Sequence, residues 1–243
     1  MRRTHERRCA ILVRFSYARR FHLGWELTGD ENLPAAGPAV YLSNHALALG
    51  PIAVTASLPV RLYPWIISDM LDWEKAAAYL NKDFVEPQWH IPSPFSMPLA
   101  RLITQALVRL LRSVGSIPVW HGEEVRETYR ISLDQLMEGQ SLLIFPGDPL
   151  QPLDEQCKIS PFLKSFARLG WLYFERTQKI LKFYPFAVHP GLRKVKLGKP
   201  ISFNPNNNPA NVCVRIKSVL ESIIRDMLIE MTLRGYAGIP LPH

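Results

Sequence analysis

The chain has 243 residues, 47% of them hydrophobic and 21% charged, with a net charge of +8. That length holds a full hydrophobic core, and the composition is globular rather than disordered. No apolar run approaches the ~18 residues needed to span a bilayer, and the first one, Cys9 to Val13, is cut by Arg14 well short of a secretory leader. Three scattered cysteines, Cys9, Cys157 and Cys213, form neither a disulfide framework nor a metal-ligand pattern. A reducing, cytoplasmic setting and no bound metal follow from that usage.

The charge is unevenly placed. Residues 1–20 hold seven arginines and one glutamate, and residues 176–220 hold nine Lys/Arg and no acid, so the rest of the chain is net acidic. Two cationic segments of this kind attract nucleic acid, anionic lipid headgroups or phosphorylated ligands.

In chain order, residues 1–22 read as a basic amphipathic helix. Ile11, Leu12, Phe15, Ala18 and Phe21 recur at helical spacing among Arg7, Arg8, Arg14, Arg19 and Arg20. Such a helix suits a membrane interface, or a docked helix with a solvated basic face. Residues 23–243 read as one α/β domain. Strands are expected at Trp25–Thr28, Ala39–Leu42 and 61–68, where Pro64 points to an edge or a bulge. A helix is expected at 70–80. The proline-rich segment 84–98 reads as an irregular loop anchored by Trp89 and Phe95. The spacing of Leu99, Leu102, Ile103, Ala106, Leu107, Leu110 and Leu111 predicts a helix over 97–113 with arginines on the opposite face. Then come a strand at Gly115–Val119, a helix over 123–138 stopped by Gly139, and an apolar strand at Ser141–Phe145. Ser160-Pro161 is a helix-start signal, which predicts a helix running to about Thr177. Strands at Leu181–Val188 and Lys194–Gly198, a polar loop at Asn204–Asn211 and a helix over 211–233 complete the chain. This alternation implies a mainly parallel mixed sheet flanked by helices on both faces.

In open α/β sheets, ligands collect at the carboxyl ends of strands. Three such ends present polar groups: Ser43-Asn44-His45, His121, and Gly147-Asp148. His45 is well placed for proton transfer, yet no carboxylate lies near it in the local sequence before Asp69. If the strands at 39–42 and 142–145 are neighbours, Asp148 and His45 share one sheet edge, and Asp148 could be the partner of His45. The competing reading is that Asp148 caps a turn before Pro149.

The ordered blocks LTGDENLPAAGPAVYLSNH, LLRSVGSIPVWHG, SLDQLMEGQSLLIFPGD, ISPFLKSFARLG, YPFAVHP and VKLGKPI resemble the PlsC-type glycerolipid acyltransferases over roughly residues 24–203. The resemblance implies His45 as catalytic base with Asn44 before it, and it puts the family's supporting aspartate at Gly50. It puts an acceptor-binding arginine at His121, and turns the family's Phe-Pro-Glu-Gly-Thr-Arg into Phe145-Pro146-Gly147-Asp148-Pro149-Leu150. The glutamate and two arginines are therefore missing. The catalytic candidates are His45, on this resemblance, and Asp148, if the two strands are neighbours; Ser43, Asn44, His121, Gly147 and Lys164 are the substrate-binding ones. The implied reaction is transfer of a fatty acyl group from acyl-CoA or an acyl-carrier protein to a lipid hydroxyl. It implies a protein peripherally associated with anionic lipid at the inner face of a membrane. A catalytically inactive, lipid-binding relative is the alternative, because three motif blocks are altered together. Nucleic-acid binding rests on charge alone, and no recognised module supports it.

Overall fold

A computed structural model describes residues 24–46, 49–86 and 89–237. The basic helix expected over 1–22 lies outside them. The chain forms two compact units, one from residues up to Arg61 and from Leu136 onward, the other from Leu62 to Gln135.

The first unit contains strands β1 (Glu26–Thr28), β2 (Val40–Ser43), β5 (Ser141–Ile144), β6 (Lys182–His189), β7 (Lys194–Leu197) and β8 (Ile201–Ser202). β2 is central. It pairs in parallel with β5 on one side and with β6 on the other. β6 continues into β7, which it meets antiparallel, and β1 closes the edge parallel to β7. β8 pairs antiparallel with the start of β6. Every residue of β2 and β5 is buried, which is why both strands read as unbroken apolar runs rather than alternating ones. Three helices belong here: α1 (Leu49–Ser57), α5 (Arg168–Thr177) and α6 (Pro209–Ala237). α6 packs on β6, and its Ile216, Leu220 and Ile224, spaced four apart, are all buried, as are Phe183 and Phe186 of β6.

The second unit contains β3 (Leu62–Ile67) and β4 (Ile117–Val119), paired in parallel, with α2 (Trp73–Leu80), α3 (Ser96–Ser113) and α4 (Val125–Met137). Pro64 sits ahead of the paired residues Trp65–Ile67, so its missing N–H costs no ladder bond there. Asp72 caps α2 by accepting from the backbone N–H groups of Glu74 and Lys75. Trp65 is held by an indole N–H bond to Ser132 at 2.9 Å and by an edge-on contact with Tyr129.

Three expectations change. The helix expected from Ser160 begins only at Arg168. Residues 161–163 are instead spent pairing with the 146–148 loop, Asp148 N–H donating to Pro161 O and Leu163 N–H to Pro146 O. Phe95 and Trp89 anchor nothing, since both are exposed. In α3 the packed line is Ser96, Ala100, Thr104 and Val108, while Leu102, Ala106 and Leu110 face outward. Small side chains let α3 lie close against α2, and that tilts the larger leucines off the contact.

Candidate active site

The carboxyl end of β2 is built by Asn44. Its side chain, buried like the strand it follows, makes two bonds to one residue of β6: Nδ2–H donates to Val188 O at 2.9 Å, and Val188 N–H donates to Oδ1 at 2.9 Å. An amide that accepts and donates to the same backbone unit imitates strand pairing. It extends the β2–β6 ladder one residue beyond Ser43, where the chain leaves the sheet. Both polar ends of the Asn44 side chain are thereby engaged. Ser43 is fully buried, and its hydroxyl donates to Asn44 O.

His45 is the next residue, and it is exposed. Its imidazole lies 5.1 Å, centroid to centroid, from the ring of Phe145, tilted by 59°. Leu42 is in register with Ile144, so His45 and Phe145 both leave their strands at the same edge. Ala46 then takes a left-handed backbone conformation, φ 44°, and the chain turns back into α1. That reversal brings the backbone of Gly50 against His45. A Cβ at position 50 would lie 1.9 Å from His45 O and 2.7 Å from its carbonyl carbon. No side chain fits there without moving the main chain. The backbone thus excludes an aspartate at this position.

Asp148 lies in the loop after β5, and β5 is the parallel neighbour of β2. The two residues therefore leave adjacent strands at one sheet edge. One carboxylate oxygen of Asp148 accepts the Leu150 N–H at 2.9 Å, an Asx turn across Pro149. Gly147 makes an isolated antiparallel bridge with Phe162. A side chain at Gly147 would bring its Cβ within 2.7 Å of the Ser160 hydroxyl oxygen, so a glutamate there would require Ser160 to turn aside.

The 146–164 segment is fastened to α6. Glu221 accepts the Phe162 N–H at 2.8 Å and pairs with Lys217 at 2.8 Å. Arg225 reaches Asp154 at 2.7 Å and Glu221 at 3.7 Å. The N–H of Cys157 and then the Arg225 charge hold the Asp154 carboxyl below the usual carboxylate range. Lys164 is exposed at the start of a short turn before α5. With Arg168 it places positive charge by Cys213 near the start of α6, opposing the burial that pushes that thiol up.

His121 belongs to the second unit, exposed at the end of β4. The segment before it is held by buried Thr128, whose hydroxyl accepts from Trp120 N–H and donates to Pro118 O.

Two contributors escape a reading of the sequence. Phe145 looks like a plain strand residue, although its place one step beyond Ile144 is the signal that sets it beside His45. Val188 carries no side-chain chemistry, and its role as the backbone partner of Asn44 has no sequence signature.

Compared with solved structures, the chain is similar to the crystal structure of the 1-acyl-sn-glycerophosphate (LPA) acyltransferase PlsC from Thermotoga maritima. The TM-score is 0.53 at 12% sequence identity, over 86% of this chain and 72% of that one. The fold is that of an acyltransferase. No protein-family model matches the sequence, and no curated protein does. The mostly parallel mixed sheet with its helices agrees with that fold. No helix among the described residues is long and apolar enough to cross a membrane.

Proposed function

We propose that the protein is a membrane-associated acyltransferase that moves a fatty acyl group from a thioester, acyl-CoA or acyl-carrier protein, to the hydroxyl of a glycerolipid acceptor. The observation that carries the reading is the position of His45, an exposed residue beside Phe145, one step beyond an amide that fixes the end of the central strand. In the proposed step, neutral His45 takes the hydroxyl proton as the oxygen attacks the thioester carbonyl. The C–S bond then breaks, and the thiolate leaves and takes up a proton.

What such a base lacks is a carboxylate in its own loop. In a serine protease, replacing the aspartate that orients the histidine lowers turnover about 10⁴-fold. Asp148 is the candidate replacement, supplied from the loop after the adjacent strand. Asp148→Asn keeps an oxygen for the Leu150 N–H, so it tests the charge without undoing the turn. The deciding assay is thiol release by the purified full chain with acyl donors and a panel of lysolipids. Turnover in the wild type that His45→Ala abolishes supports the reading. Turnover that survives His45→Ala overturns it.

A second reading, a non-catalytic lipid-binding relative, draws on the same loop. Gly50 admits no side chain, and one oxygen of Asp148 is already used in a turn. Vesicle binding without turnover for any donor or acceptor favours that alternative.

A further inference from the structure

The outward face of α3 has no partner among the described residues that the sheet or the other helices explain. Phe95, Leu102, Ala106 and Leu110 follow one another at spacings of seven, four and four, a single stripe along the helix. Phe95 is 71% exposed, Leu102 67% and Leu110 58%, and Ala106 is exposed too, whereas Leu99 turns in against the cluster of Leu80, Val85 and Ala100. Outward leucines of this size, in a line, are not the scattered apolar residues that any surface carries.

The charge beside the stripe is of one sign. α3 contains Arg101, Arg109 and Arg112 and no acid, and the stretch from 87 to 122 contains no acid either. Arg109 and Arg112 stand over the Trp73 ring, each 5.7 Å from its centroid, and Arg112 donates to Leu71 O. The carboxylates near the helix are turned to internal work. Glu86 accepts from Ser96 and Asn81, Ser96 being on the packed line, and Asp72 caps α2 beside Arg112. Asp69 is paired with Lys75. Arg109 is one turn from Ala106, and Arg101 is exposed on the same helix, which carries no acid to oppose either. A narrow apolar stripe on a helix that carries arginines and no acid is the pattern of a helix lying in an anionic lipid interface, its apolar side chains dipping below the headgroups and its long cationic side chains reaching their phosphates.

We infer that the Phe95–Leu110 face of α3 is a docking surface for an anionic membrane. The inference does not rest on acyl transfer, and it is separate from the basic segment 1–22.

Flotation of the full chain with phosphatidylglycerol-containing vesicles, set against pure phosphatidylcholine vesicles, tests it. The variants are Leu102→Ser/Leu110→Ser together and Arg101→Glu. These side chains are exposed, so circular dichroism and thermal melting should match the wild type. The expected result is binding to the anionic vesicles that falls about tenfold or more in the double variant, by loss of two buried leucines. Arg101→Glu should weaken anionic binding and leave the weak binding to neutral vesicles unchanged. Equal flotation of wild type and double variant overturns the proposal, as does a wild type that binds neither vesicle. Light scattering provides the other decisive result: if the double variant turns a dimer into a monomer and floats as before, the face serves a second copy of this chain. Thiol release from a water-soluble donor and acceptor is measured on the same samples, so that failed docking and failed catalysis are read separately.

Discussion

Gly50 is the residue at which chemistry and backbone meet most directly. A Cβ there collides with His45 O, so Gly50→Asp should not return a carboxylate to the histidine. It should lower stability by about 2 kcal/mol or more, the range of backbone-incompatible substitutions, and leave thiol release no higher. A thermal melt shows the first outcome and the release assay the second. Asn44→Ala should also be costly. It strips the Val188 N–H and C=O of their partners in a buried place, at about 1–3 kcal/mol for each group left unpaired. Asn44→Asp should recover part of that loss through the Val188 N–H alone. Tyr41 gives the opposite sign. Its hydroxyl is buried with no hydrogen-bond partner among the described residues, its ring lies beside that of Tyr184, and burial pushes the phenol pKa up. Tyr41→Phe should therefore leave stability unchanged or raise it by about 1 kcal/mol, read from a denaturant midpoint.

At the scale of elements, the loop carrying Asp148 is held by α6 rather than by the sheet. Arg225→Ala removes the tie to Asp154 and loosens the Glu221 contact. Ion pairs that stay partly open to solvent contribute modestly to global stability, so the melt should move by little while the 146–164 loop becomes quicker to cut in limited proteolysis. The same loop should depend on pH. Because the folded Asp154 pKa is lowered, its contribution is complete above the ordinary carboxylate value of about 3.9 and is lost as pH falls through the lower folded value. Cleavage should accelerate on acidification in the wild type and change less in Arg225→Ala. Ser160-Pro161 shows why sequence alone misplaces this element. The dipeptide is a sound helix start, but Phe162 and its neighbours find better partners in the Gly147 bridge and Glu221.

Over the whole molecule, the strands around β2 were legible because burial on both faces leaves an unmistakable apolar run. The adjacency of β2 and β5, which puts His45 and Asp148 at one edge, stood in the sequence only as a condition, because strand order leaves no local pattern; the parallel pairing meets it. The outward half of α3 was not legible, since periodicity locates an apolar arc but not which part of it finds a partner. Charge counted along the chain misleads in a related way. Segment 176–220 contains no acid, yet Lys194 lies across from Glu26 in the β1–β7 register, Lys196 pairs with Glu230, and Lys217 with Glu221. Acids from distant sequence thus neutralise part of what looks like a cationic surface. If residues 1–22 anchor the protein as their sequence suggests, removing them should lower flotation with anionic vesicles. Equal flotation would leave that role to other surfaces.

The tight approach at Gly50 also bears on how variants of this protein can arise. Glycine and aspartate codons can differ by a single base, so a carboxylate at this position is always within easy genetic reach. The main chain nevertheless excludes it until the turn after His45 has first been opened by other changes. Selection would meet such a variant as a defect in folding yield long before it could weigh any gain in turnover.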